Sequence, residues 1–458
     1  MVELSRRTPL VLAIEKPIVS ITVKAFKNFE PERKYILDVL FEEFYGLNYN
    51  LEWHDEAEWR IEFEGKNIIM PDLYFAQHKE DRSLNHSDAR DLQFRESNGS
   101  HALFGQDGIE KEENSIRFKA DFIASAFVLL SRLEENESPL DDRYGRFPIA
   151  NLLVKKAGLE KRPLVNEYLE LIWSAFQELG FQQKRKKRNY SLNLTHDVDQ
   201  FRRYDEAGKL IRALGGDIIR RKSASVFLKT IKRILAVRAG NAKDPYDSFE
   251  FIMDVSEKNN LKSCFYFMCM EKGEFDWRYN ISDPKVQAEI DRIAERGHRL
   301  GIHPGWNTFL DADRMSEEMK RARLAVPSLA DGRQHYLKFR FPESLTSLEK
   351  EIETDSSLGF DSGYGFRSSV CYPYSLYHFQ ERRKSSLREH PLILMDTALG
   401  FKMSTEEFKA ACLEMKNEVQ KYNGEFVLLW HPNNLWVHEW QVHGDEYAAL
   451  IEELSAKA

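Results

Sequence analysis

From residue 190 onward the chain repeats one rhythm: an apolar run, a polar loop, a helical pattern, then another apolar run. SLNLT (191–195), KSCFYFM (262–268), LGIH (300–303) and VLLWH (427–431) read as strands. Between two of them Asp283 stands as a helix cap before Pro284, and Gly297 lies just past that helix's end. Strands alternating with helices at this spacing predict a parallel sheet, open or closed into a barrel. In such folds function gathers where strands deliver their C-terminal ends.

At 458 residues the chain is long enough for two or three units. Ahead of the alternating region, 18–26 (IVSITVKAF) reads as a strand and 31–45 as a helix with Tyr35, Ile36, Val39, Leu40 and Phe44 on one face. Trp59, Ile61 and Phe63, the turn Glu64-Gly65-Lys66 and Ile68–Met70 predict a hairpin. Residues 77–116 are polar and irregular. Residues 1–117 are therefore expected to form a small α/β unit of unassigned role. Helical patterns at Phe122–Leu133 and Pro163–Leu179 make 118–189 a helical connector, ending in the basic run Lys184-Arg185-Lys186-Lys187-Arg188. Such a run serves as a nuclear signal, a phosphate patch or, most simply, a solvated link.

With 42% hydrophobic residues, each unit can bury a core. A net charge of −8 argues against general nucleic-acid binding. The four cysteines (Cys264, Cys269, Cys371, Cys412) show neither a CxxC pair nor zinc-finger spacing, which suits free thiols in a reducing compartment. The apolar run Pro9–Ile14 is shorter than a secretory signal core and is followed by Glu15 and Lys16. A cytoplasmic location is expected, with docking on a membrane surface left open.

The strand SLNLT runs into His196-Asp197-Val198-Asp199. Residues i and i+2 of an extended chain point the same way, so Asp197 and Asp199 can share one pocket. Two adjacent carboxylates repel unless a cation or a shared proton resolves the conflict. The bland reading makes one of them a helix cap. LGIH delivers His303 at a strand end, ahead of Pro304-Gly305-Trp306-Asn307, and VLLWH delivers His431. Asp, His and His at three strand ends are metal-site or acid–base residue types.

This pattern resembles the NodB-homology polysaccharide deacetylases (carbohydrate esterase family 4), which share a distorted (β/α) barrel. Thr195-His196-Asp197-Val198-Asp199 is similar to their first motif, with one residue between the two Asp. His303 to Asn307, after Gly297-His298, is similar to their His-x-x-x-His, with Asn307 in place of the second His. Their third motif corresponds to Arg340-Phe341-Pro342, or its Arg role falls to Arg333. Asp355-Ser356-Ser357-Leu358-Gly359 resembles the fourth motif and Leu428 to His431 the fifth. The wording also resembles a bacterial subfamily of larger intracellular members with an extra N-terminal domain. The resemblance thus implies a deacetylase barrel over 190–458, acting on an N- or O-acetylated sugar or polysaccharide.

It further implies a divalent ion, zinc first with cobalt or nickel as alternatives, held by Asp199, His303 and Asn307. An amide oxygen donates more weakly than an imidazole, so looser zinc binding is expected. Asp197 becomes the base, His431 the acid, Asp355 the group that orients His431, and Arg340 a catalytic-pocket residue. Arg367 in a Gly-rich loop, Trp306 and His335 are candidates for contacting substrate. The rival reading is a catalytically silent glycan-binding or scaffold protein on the same barrel. Residues 201–243 hold twelve Lys or Arg against three Asp or Glu. This basic insert follows the first strand and is expected to roof the pocket, facing an anionic glycan, a lipid- or nucleotide-linked sugar, or a membrane leaflet. An ordinary solvated face accounts for it equally. Oligomeric state is left open.

Overall fold

The computed structural model describes residues 20–456 apart from 81–82, 205–207, 209, 211–213, 216–223, 271–278, 327, 399–403 and 437–443. The apolar run at 9–14 and much of the basic insert up to residue 223 lie outside the described residues.

The first sheet has the order β2-β1-β3-β4-β8-β7. It comprises β1 (Ile21–Phe26), β2 (Tyr49–His54), β3 (Glu58–Phe63), β4 (Lys66–Pro71), β7 (Gly105–Lys111) and β8 (Ser115–Ala120), with a small pair, β5 (Arg95–Ser97) and β6 (Ser100–Ala102), against β7. In β1, Ile21, Val23 and Ala25 are buried while Thr22, Lys24 and Phe26 are half-buried, so one face meets the core. The β3–β4 hairpin turns through Glu64 and Gly65, both at positive φ (47° and 75°), the backbone a two-residue hairpin loop of this twist requires. The expected irregularity of 77–116 is corrected. Edge strand β7 (GQDGIEK) lies there, and its largely exposed side chains leave no apolar alternation to read.

Helix Phe122–Ser131 is buried at every position, which explains its unbroken apolar run. It packs on helix Leu164–Glu178 and on strand Tyr374–His378 of the second sheet, while Leu164–Glu178 also packs on β4 and β6. The connector helices are thus core layers between the two sheets.

The second sheet curls into a half-barrel of order β14-β15-β13-β12-β11-β10-β9-β17-β16. Its strands are β9 (Ser191–Val198), β10 (Cys264–Phe267), β11 (Arg299–Ile302), β12 (Asp331–Gly332), β13 (Thr354–Asp355), β14 (Tyr374–His378), β15 (Arg383–Glu389), β16 (Leu392–Met395) and β17 (Glu425–Leu429). All neighbouring pairs are parallel except β14–β15. Helices Phe249–Lys258, Pro284–Glu295 and Ala312–Ala325 provide the first three crossovers. Asp283 caps the second through its side chain (2.8 Å to the Lys285 N–H), and Gly297 beyond its end takes φ 72°. The second strand from β9, Gly301 in β11, has no room for a side chain. A Cβ there would meet the Tyr266 ring at 2.5 Å and the Asp331 carbonyl at 2.8 Å. The Tyr266 ring instead lies beneath the Arg333 guanidinium, 4.8 Å away.

All four cysteines are buried and free. Among the described residues no helix is long and apolar enough to cross a membrane.

Candidate metal centre

Parallel strands bring their C-terminal ends to one rim, and the residues just past β9, β11, β12, β16 and β17 meet there. Asp199 follows β9, His303 follows β11, and His335 lies three residues past β12. Asp199 Oδ1 is 3.3 Å from His303 Nε2 and 3.7 Å from His335 Nε2. These three residues offer ligand atoms within 4.8 Å of one another. The Asp199 side chain is 27% exposed, so the cluster opens to solvent. Its Oδ1 is nevertheless buried with no hydrogen-bond partner, an orphaned anionic oxygen aimed between two imidazoles.

The imidazoles are held for a ligand role. His303 Nδ1–H donates to the Arg333 carbonyl at 2.6 Å, which leaves Nε2 facing both aspartates. Burial would push the Asp199 carboxyl up. The contact with His303 and the charges of His335 and His431 instead hold it well below the usual carboxylate range. One carboxylate and two imidazoles form a donor set suited to zinc and its borderline neighbours, so the residues present fit a divalent ion.

Asp197 sits beside this group and is held differently. Arg333 Nη1 donates to its Oδ1 at 3.0 Å, while Oδ2 faces His303 Nε2 at 3.6 Å. Arg333 is fully buried and is fixed by Thr195 Oγ1, the Ser356 carbonyl and Ser356 Oγ at 2.8–2.9 Å. Across the pocket, His431 Nε2 lies 3.8 Å from Asp199 Oδ2. Its Nδ1 is 2.7 Å from Asp396 Oδ1, at the end of β16. Burial works against a charged His431, but the Asp396 carboxylate outweighs it and raises the imidazole to about 10.

A family of unknown function (DUF7033) matches residues 21–181, the first sheet together with the connector helices. No curated protein matches the chain. Among solved structures, one similar chain is a Mycobacterium smegmatis protein described as a candidate polysaccharide deacetylase. It is 14% identical, with 59% of this chain and 85% of that one covered and a TM-score of 0.39. Another is a Bordetella bronchiseptica protein described as a candidate polysaccharide deacetylase involved in O-antigen biosynthesis. It is 15% identical, with 54% and 72% covered and a TM-score of 0.27. Both likenesses are distant.

Of the residues singled out from sequence, Asp197, Asp199, His303, His335 and His431 come together. Others do not. Asn307 is exposed on the loop after β11, and the donor that meets Asp199 beside His303 is the His335 imidazole. His335 is thereby placed with the ligand group. Asp355 does not orient His431; Asp396 does. Asp355 lies buried beside Glu389, its oxygens accepting from the Ser357 N–H (2.8 Å) and hydroxyl (2.9 Å). Arg340 points away to Asp141 and the Ser138 carbonyl, and the buried guanidinium of the pocket is Arg333. Arg367, expected on an exposed loop, is 3% exposed and paired with Glu135 at 2.7 Å. Trp306 is half-buried and meets Tyr144 and Tyr336 edge-on, forming an aromatic rim with the Lys338 ammonium 3.6 Å over its ring. Asp396 had one available signal: an acid directly after the apolar run LILM.

The Asp355–Glu389 pair gives a test of its own. Burial and the neighbouring Asp355 carboxylate push Glu389 well above the usual range, and burial raises Asp355 as well. A carboxyl raised in the fold costs nothing below its unfolded pKa of about 4.3. As pH climbs past that value the unfolded chain releases the proton first, so stability falls toward the folded pKa. Glu389→Gln keeps a donor toward Asp355 without that proton. Its urea midpoint is expected to gain on wild type between pH 5 and pH 8; a constant difference would show that Glu389 is ionised in the fold.

A second carboxylate–histidine group, Glu349, His378 and Glu381, lies near β14 and β15. Arg383 already bridges both glutamates, and His378 Nδ1 accepts from the Glu381 N–H. That group is neutralised by protein cations.

Proposed function

We propose that the chain is a metal-dependent hydrolase that removes an N- or O-linked acetyl group from a sugar-type substrate. The convergence of Asp199, His303 and His335 beside two separately supported proton-handling groups, Asp197 and His431, carries this reading. Asp199, His303 and His335 would hold the ion, zinc before cobalt or nickel. Such an ion, when bound, supplies Lewis-acid polarisation and a water of lowered pKa. Asp197, oriented by Arg333, takes the proton of the attacking water. His431, kept protonated by Asp396, returns a proton to the leaving amine or alcohol. The Trp306–Tyr336 rim, with Tyr336 its exposed member, would give a sugar ring aromatic contact.

Helix Ala224–Arg238 exposes Lys229, Lys232 and Arg233, which extends the proposal to an anionic, lipid- or nucleotide-linked sugar handled in the cytoplasm or at its membrane surface. The test is acetate release from N-acetylglucosamine oligomers and O-acetylated xylan by zinc-, cobalt- or nickel-loaded protein. Asp197→Asn is expected to slow turnover by about 10²–10⁴-fold. Metal-loaded protein that binds these glycans without releasing acetate overturns the hydrolase in favour of a silent binder.

A further inference from the structure

The basic run 184–188 is more than a solvated link. It crosses the junction of the helical segments Glu30–Leu37 and Asp38–Tyr45, the connector and the half-barrel, and it walls a cavity of about 470 Å³. Leu169, Phe44, Tyr45, Tyr372 and Tyr422 form the apolar side. The run is seated rather than loose. The Lys186 N–H donates to the Tyr45 carbonyl at 2.5 Å, and Arg188 Nη2 to the Glu43 carbonyl at 2.7 Å. Gly46, at φ 69°, lets the run approach so closely that a Cβ there would lie 2.9 Å from Lys186 Cβ.

Charge is left over at this seat. Arg185 is paired with Glu170 at 2.7 Å. Among the described residues, Lys184, Lys186, Lys187 and Arg188 have no carboxylate within 4.0 Å. The carboxylate of Glu43, whose backbone carbonyl Arg188 reaches, is taken by Lys384 and Arg388. Helix-end carbonyls accept from Arg188 and Lys186, and a helix C-terminus offsets only about half of one charge. Arg188 lies over the Tyr372 ring at 4.1 Å, and its Nε is buried without a hydrogen-bond partner. Burial first, then neighbouring cations, holds both Lys186 and Arg188 below their ordinary values. Like charges crowded beside a small apolar-walled cavity are relieved by a polyvalent anion.

We propose that this cavity binds a diphosphate-bearing ligand, with Lys184, Lys186, Lys187 and Arg188 on the phosphates and the Tyr372–Tyr422 wall against its organic part. The volume falls in the range of small-ligand sites, roughly 300–1,000 Å³. The ligand would clamp the junction between the two sheets. This inference stands apart from the hydrolase reading, because the site shares no residue with the metal centre.

The test uses the full chain with inorganic pyrophosphate, UDP and phosphatidic-acid vesicles as probes. Calorimetry is expected to show saturable 1:1 binding of pyrophosphate and UDP, weakened several-fold from 50 to 200 mM salt. The exposed pair Lys184→Gln/Lys187→Gln is expected to weaken it about 10-fold, leaving metal content and melting temperature unchanged. Arg188→Gln should weaken it further. Pyrophosphate should also slow tryptic cleavage within 184–188. Absence of binding at millimolar probe, binding unchanged in the double variant, or binding to vesicles alone would each overturn the site.

Discussion

His335→Ala is expected to abolish binding of an added divalent ion, while Asn307→Ala leaves that binding intact. In wild type, His335 Nε2 and His303 Nε2 flank the same unpartnered oxygen of Asp199, and Asn307 is exposed on its loop. Losing a group that merely supports a metal ligand typically costs about 10–100-fold in affinity. Losing a direct ligand should therefore cost at least about 100-fold. A ligand that binds only the folded state adds about 2.7 kcal/mol at a hundred times its Kd. Zinc should accordingly raise the melting temperature of wild type and of Asn307→Ala by several degrees, and that of His335→Ala far less. Metal analysis after dialysis reads the same contrast directly. The opposite pattern would return the third ligand to Asn307.

Arg333→Leu is expected to be the most damaging single change in the half-barrel. The guanidinium is fully buried and donates to Asp197, Thr195 and Ser356 at once, so its removal leaves Asp197 buried without its cation. Breaking a buried pair from one side costs about 3–5 kcal/mol. Denaturation in urea should show that loss, and the proposed hydrolase reading adds a fall in acetate release. Arg333→Lys keeps the charge but not the fork that reaches Ser356 and Asp197 together, so it should recover stability only in part. Arg340→Leu removes an arginine paired with the half-exposed Asp141, and should cost about 1 kcal/mol or less. Equal effects at 333 and 340 would overturn the assignment of the pocket arginine.

Legibility followed the length of each signal. The hairpin at 58–71 and the capped helix after Asp283 could be read because turn and cap chemistry is local. The region 331–395 could not. β12 and β13 are two residues long, and β15, held between β14 and β13, alternates solvent-facing and buried positions with few apolar residues to mark them. Within that stretch sit Arg333 and His335, and β16 ends just ahead of Asp396.

By itself, the sequence determined the alternating sheet, the strand-end placement of Asp197, Asp199, His303 and His431, and the basic run at 184–188. Each rests on spacing along the chain, where a strand's period of two or a helix cap acts within a few residues. Tertiary structure alone decided the partners. The third candidate ligand, His335, comes from the loop after β12 rather than the loop after β11, and the carboxylate behind His431 comes from the end of β16 rather than from β13. Parallel strands distant in sequence deliver their ends to one rim, so which side chains meet there is set by strand order and loop direction.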